Sequence, residues 1–156
     1  MRDYRGKRKD NGEWVYGYLI GNDVIVGDIV EFTDEYFNTE FWCKVDPETV
    51  GQYTGIKDKN GKEIYEGNTV LITGEQELDV GLSFLWNEKA IVKWSEDECG
   101  FYLDVINKRE VSICQDGYFT VDTFPLRKWE EEEWPIEYEV VGNVWESAGL
   151  GEVRER

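Results

Sequence analysis

The chain has 156 residues, 40% of them apolar and 15% aromatic, and a net charge of −17 from 34 acidic and 17 basic residues. That is enough apolar material for one domain, or two small lobes, to fold around a core, so disorder is not expected. Histidine is absent, which removes Ser-His-Asp and Cys-His catalysis and imidazole metal sites together.

The charge is uneven along the chain. The first nine residues carry Arg2, Arg5, Lys7, Arg8 and Lys9 against Asp3, a balance of +4, which leaves −21 on the rest. A surface dominated by carboxylates repels phosphates, so no direct nucleic-acid binding is expected. No apolar run approaches the length of a membrane span, so the expectation is a cytoplasmic protein with no membrane contact.

Asp10-Asn11-Gly12 lies between apolar runs and predicts a β-hairpin. A three-residue loop over Asp10–Gly12, with Gly12 left-handed, sets Lys9 against Glu13. A two-residue loop would set Asp10 against Glu13, and facing like charges are disfavoured. The same reasoning predicts a hairpin at Lys59-Asn60-Gly61, where Asp58 then faces Lys62 and Ile56 faces Ile64. Between the two, Asp46 is placed to cap a helical turn over Pro47–Val50.

Gly27–Phe32 and Glu66–Ile72 both read as turn-then-strand openings. Further on, Ala90–Trp94 with Gly100–Leu103, Glu110–Ile113 with Tyr118–Val121, and the alternating run Glu137–Glu146 read as strands. The stretch from Ile72 to Lys89 fits no pattern. Nothing keeps a helical period for three turns. The predicted class is all-β, mainly antiparallel, in barrel- or SH3-like lobes built from short hairpins with little helix. One β domain over 1–146 is expected, with lobes 1–45 and 46–146 and a flexible tail at 147–156.

Cys43, Cys99 and Cys114 form no C-x-x-C pair and read as reduced, buried thiols. No metal or cofactor signature occurs, neither a phosphate-cradling glycine loop nor ligand spacing. Two interaction candidates stand out. Gln52, Tyr53 and Thr54, bracketed by Gly51 and Gly55, are placed to offer polar groups from a loop. Glu130, Glu131, Glu132 and Glu133, held between Trp129 and Trp134, form an acidic run that reads first as a solvated loop and second as a finger for a basic partner. Asp46 with Glu48, or Asp58 with Glu63, are the carboxylate pairs a hydrolase would draw on, although turns account for their positions.

Three blocks resemble the YopX family of bacteriophage and prophage proteins. They are Arg5–Gly17, then Asp46–Gly55 with Asp58–Gly67, then Tyr138–Glu146. The resemblance implies a phage or prophage origin, a mainly β fold and oligomer formation, and it transfers no catalytic residue. With 23 aromatic residues to place, self-association is expected through an apolar centre with carboxylates at the rim, tightening as salt screens their repulsion. The function expected is a non-enzymatic accessory module that forms a homo-oligomer or binds a host or phage protein. The alternatives are a cryptic carboxylate- or metal-assisted hydrolase and an acidic DNA mimic.

Overall fold

Aromatic and β-branched residues recur between Gly- and Asn-bearing turns, a composition suited to pleated surfaces, and strands follow one another along the chain, with one 3₁₀ turn among the described residues, over Pro47–Thr49. The computed structural model describes residues 3–77, 81, 83–114, 117–127 and 136–146. The fold is all-β, and the chain divides into two compact units, residues 1–53 and 54–156.

The first unit contains β1 (Tyr4–Lys7), β2 (Trp14–Ile20), β3 (Val24–Val26), β4 (Ile29–Phe32), β5 (Phe37–Thr39), β6 (Trp42–Lys44) and the start of β7 (Gly51–Lys57). Its sheet runs β6-β3-β2-β1-β7. An antiparallel bridge between Arg8 and Val45, with Lys9 N donating to the Lys44 carbonyl at 3.1 Å and Asp46 N to that of Lys7 at 2.8 Å, closes β1 back onto β6. Ile25, Cys43 and Val45 fill the interior. Gly17 is required there because a Cβ would lie 2.1 Å from the Val26 carbonyl oxygen.

That closure changes the first hairpin. Lys7 faces Trp14, Arg8 N donates to the Glu13 carbonyl and Gly12 N to that of Arg8, both at 2.9 Å. The loop therefore spans Lys9–Gly12, and Arg8 rather than Lys9 opposes Glu13. Lys9 gives its amide to Lys44 instead, so a tertiary bond lengthens the loop by one residue while Glu13 still faces a cation. Gly12 is left-handed, with φ of 72°. The second hairpin keeps its predicted loop: Asp58 N donates to the Lys62 carbonyl at 2.7 Å, and Gly61 has φ of 83°.

In the second unit the later part of β7 neighbours β8 (Glu63–Tyr65), and a longer sheet follows. It is made of β9 (Asn68–Glu77), β10 (Ser83–Ser95), β11 (Gly100–Cys114), β12 (Gly117–Pro125) and β13 (Ile136–Asn143), in the order β12-β11-β10-β9-β13. The stretch Ile72–Lys89, unassigned from sequence, belongs to β9 and β10. Phe84, Trp86, Ala90 and Val92 point inward at alternate positions of β10 and pack with Val70, Ile72, Leu103, Val105 and Val121. Trp86 meets Phe84 edge-on at 5.0 Å and Phe124 at 5.2 Å.

Glu88 falls in the same inward series on β10, and the Arg109 guanidinium forks onto it at 2.6 and 2.8 Å. An irregularity in β11 between Asp104 and Arg109, where four residues stand against Asp122 alone, resets the register before Arg109. The final strand stops at Asn143, short of the predicted Glu146. The Asn143 carboxamide oxygen accepts from the amides of Trp145 and Glu146 and its Nδ2 donates to Glu146, which caps a helical turn at 144–146.

Candidate interaction surface

The register of the first unit sets side chains into cross-strand rows, because residues directly opposite share a face. Tyr18, Val26 and Trp42 form one row, and Ile20, Val24 and Lys44 the next. Tyr16 faces Arg5, and Trp14 faces Lys7. Since β2 turns Gly17 inward, Trp14, Tyr16, Tyr18 and Ile20 line the outside together. Tyr16, Tyr18, Ile20 and Trp42 are exposed there, Trp42 at 67%. The Arg5 guanidinium stacks 4.3 Å from the Trp14 ring centre, and the Lys7 ammonium lies 5.5 Å from it. No residue in these rows is acidic.

Beside this face, β4 and β5 form a separate two-stranded arm. Ile29 pairs with Thr39, Glu31 with Asn38, and Phe32 with Phe37. Thr33 builds the tip: its hydroxyl oxygen accepts from the amides of Glu35 and Tyr36 at 3.2 and 3.1 Å. The Asn38 side chain donates to Glu31 at 2.8 Å. Ile29, Val30, Phe32, Tyr36 and Phe37 are all exposed, Val30 at 65% and Phe32 at 74%. Residues 28–40 include Asp28, Glu31, Asp34, Glu35 and Glu40 and no Lys or Arg. At its base the arm continues from the β3–β6 pair, Gly27 N donating to the Phe41 carbonyl at 3.0 Å and Glu40 N to that of Asp28 at 2.9 Å. Beyond that its strands pair only with each other, and it shows large apolar groups along both.

An open groove of about 600 Å³ lies between Lys7, Arg8, Lys9 and Gly12 on one wall and Asp46–Thr49 on the other. Lys7 N donates to the Thr49 hydroxyl at 2.8 Å, which itself donates to the Asp46 carbonyl at 2.7 Å. The Arg8 guanidinium is engaged by Asp10 at 3.0 and 2.7 Å. That hydrogen bond raises the Arg8 pKa and lowers that of Asp10. With Asp46 and Glu48 opposite the cations, the groove has no strong preference for either sign. A second cleft, of about 390 Å³, is lined by Ser95, Glu98, Tyr102, Thr123, Phe124 and Pro125.

Gln52, Tyr53 and Thr54 do not form a loop; they lie in β7. Gln52 is exposed and faces Tyr4. Tyr53 is buried and its amide donates to the Asp3 carbonyl at 2.6 Å. The Thr54 hydroxyl donates to the Ile64 carbonyl at 2.8 Å. Ladder bonds and packing thus use groups that the sequence placed at a loop. Glu130, Glu131, Glu132 and Glu133, with Trp129 and Trp134, lie outside the described residues.

Of the carboxylates considered for acid–base work, Asp46 and Asp58 are engaged by backbone. Asp46 accepts from Glu48 N at 3.1 Å. Asp58 accepts from the amides of Asn60, Lys62 and Val140, each at 2.9 Å. Burial pushes the Asp58 carboxyl up, but the amides of Val140, Lys62 and Asn60 outweigh it and hold it below the usual range. Among the described residues no three His, Cys, Asp or Glu are grouped to hold a metal ion.

Cys43 is buried, and burial pushes its thiol up. Cys99, expected inside, is exposed: it sits in the β10–β11 turn with φ of 52°, and its Sγ lies 3.4 Å from the Glu96 carbonyl oxygen. The side chain of Cys114 lies outside the described residues. No helix among the described residues is long and apolar enough to cross a membrane.

The arm is what sequence reasoning missed. Gly27–Phe32 resembles the opening of β9, whose first residues are buried, yet β4 is exposed at every position. A signal was present: Ile29, Val30 and Phe32 leave one polar residue in four, a pattern that gives neither face of a short hairpin to water. A family model described as YopX protein matches residues 3–151. No curated protein matches the chain.

Proposed function

The chain belongs to the YopX family, and on that premise we propose that it is a phage or prophage accessory protein that works as a non-enzymatic interaction module and self-associates through its first unit. The observation that carries this reading is the β4–β5 arm. Five large apolar side chains stand exposed on a hairpin that packs into no larger sheet. Contiguous exposed apolar surface rimmed by polar groups marks interaction sites, and Phe, Tyr and Trp are the residues interfaces favour. The neighbouring Tyr16, Tyr18 and Trp42 face extends that surface.

A carboxylate hydrolase would need two free carboxyls facing one cleft, whereas Asp46 and Asp58 are tied to backbone amides. The test is light scattering on the intact chain across micromolar concentrations. The expected result is a mass above that of one chain, rising with concentration. A strict monomer throughout, with no host or phage protein retained from infected cells, overturns the reading.

A further inference from the structure

Resting on that reading, we propose that the β4–β5 arm of one copy docks head-to-tail on the Tyr16, Tyr18 and Trp42 face of a second copy, so that the two sides of the contact are different surfaces of the same chain. Charge decides the pairing. The arm segment carries five carboxylates and no cation, while the face has Lys7 and Lys44 at its margins, with Asp23 4.0 Å from the Lys44 ammonium as the one acid beside them, and no acid in its rows. An isologous contact of arm against arm would set ten carboxylates together, and like charges across an interface oppose association. Face against face would gather the lysines and leave both arms in water. Only the heterologous contact covers both apolar surfaces and brings opposite charges together.

Shape agrees with this. Phe32 and Phe37 face each other across the arm and form one aromatic knob. Tyr18 and Trp42 stand at either end of the Tyr18–Val26–Trp42 row, with the smaller Val26, buried, between them. In each contact one copy keeps its face unused and the other its arm, so such contacts close into a ring or continue as a filament. The sequence-based expectation that association tightens with salt rested on repulsion between carboxylates at the rim. With acid on the arm and base at the face, added salt weakens the contact severalfold.

The experiment mixes two deficient variants of the full chain. Phe32→Ser/Phe37→Ser removes the knob, and Tyr18→Ser/Trp42→Ser removes its seat. Each alone loses self-affinity by roughly a hundredfold, as expected when central aromatic anchors go, and runs as a monomer. Mixed in equal amounts, they form a two-chain complex that grows no further, because one supplies the intact face and the other the intact arm. Circular dichroism confirms that both are folded, and Lys44→Glu, a change at an exposed site, independently weakens association about fivefold or more at low salt. A self-associating wild type whose two variants fail to combine overturns the head-to-tail mode while leaving self-association standing. A wild type that is monomeric overturns both.

Discussion

In the second unit Trp86 is 5% exposed, held between Phe84 and Phe124, and the buried positions of β9, β10 and β11 form one continuous apolar cluster. In the first unit Trp42 stands at 67% exposure and Phe32 at 74%. Of the large apolar residues exposed among those described, nine lie in residues 16–42 and four in the second unit. Aromatic residues therefore do opposite jobs in the two units. Strands of ten to fifteen residues give the second unit a sheet long enough to enclose its own apolar face. Strands of three to seven residues close a small sheet whose interior admits Ile25, Cys43, Val45 and the glycine at 17, and of the larger rings Tyr53 is buried while Tyr16, Tyr18, Phe32, Tyr36, Phe37 and Trp42 are left outside. The lesson is that interior volume, rather than hydrophobicity alone, sorts rings between core and surface.

The contrast is sharpest at Leu103, fully buried in the second unit. Leu103→Ala is expected to destabilise the protein by about 2–5 kcal/mol through lost transfer energy and the cavity left behind, measured by denaturant unfolding. Stability unchanged by this substitution would mean that the second unit does not depend on its enclosed core.

Asp58 tests whether polar burial in the second unit matters comparably. Asp58→Ala strands the amides of Asn60, Lys62 and Val140, and a loss of about 2–3 kcal/mol is expected, with exchange protection at the Val140 amide falling as a local readout.

Acid titration extends this. The Asp58 carboxyl is lowered despite burial, and that of Asp104 by its hydrogen bonds from Lys108 and Lys93. A carboxyl lowered in the folded state contributes stability that is fully present above its unfolded pKa of about 3.9 and is lost as pH falls through the folded value. Unfolding midpoints should be level in this respect above about pH 5 and drop below about pH 4. A profile flat down to pH 3 contradicts the assignment.

The smallest effect on stability is expected in the arm. Phe32→Ser should change unfolding free energy by no more than about 0.5 kcal/mol, the ordinary range for a surface site, while self-association falls. A large loss of stability would show that Phe32 holds the first unit together and would erase the contrast between the units.

The chain by itself determined the strand class, the glycine turns at Gly12 and Gly61 and the Asp46 cap, because each rests on neighbours within a few residues, and three blocks in order along the chain carried the family resemblance. The Lys59–Gly61 loop was legible since Asp58 is satisfied within its own turn before it reaches Val140. The Lys9–Gly12 loop was not, since the amide of Lys9 is claimed by Lys44, 35 residues away. Gln52, Tyr53 and Thr54 became strand for the same reason: the partners of that segment, Asp3, Tyr4 and Ile64, come from elsewhere in the chain. The run Ile29, Val30 and Phe32 signalled only that a short hairpin there had no polar face; whether those residues were core or surface was decided by tertiary structure. A run of apolar residues states how much area seeks cover, and only the packing of the remaining strands determines whether cover exists within the same chain.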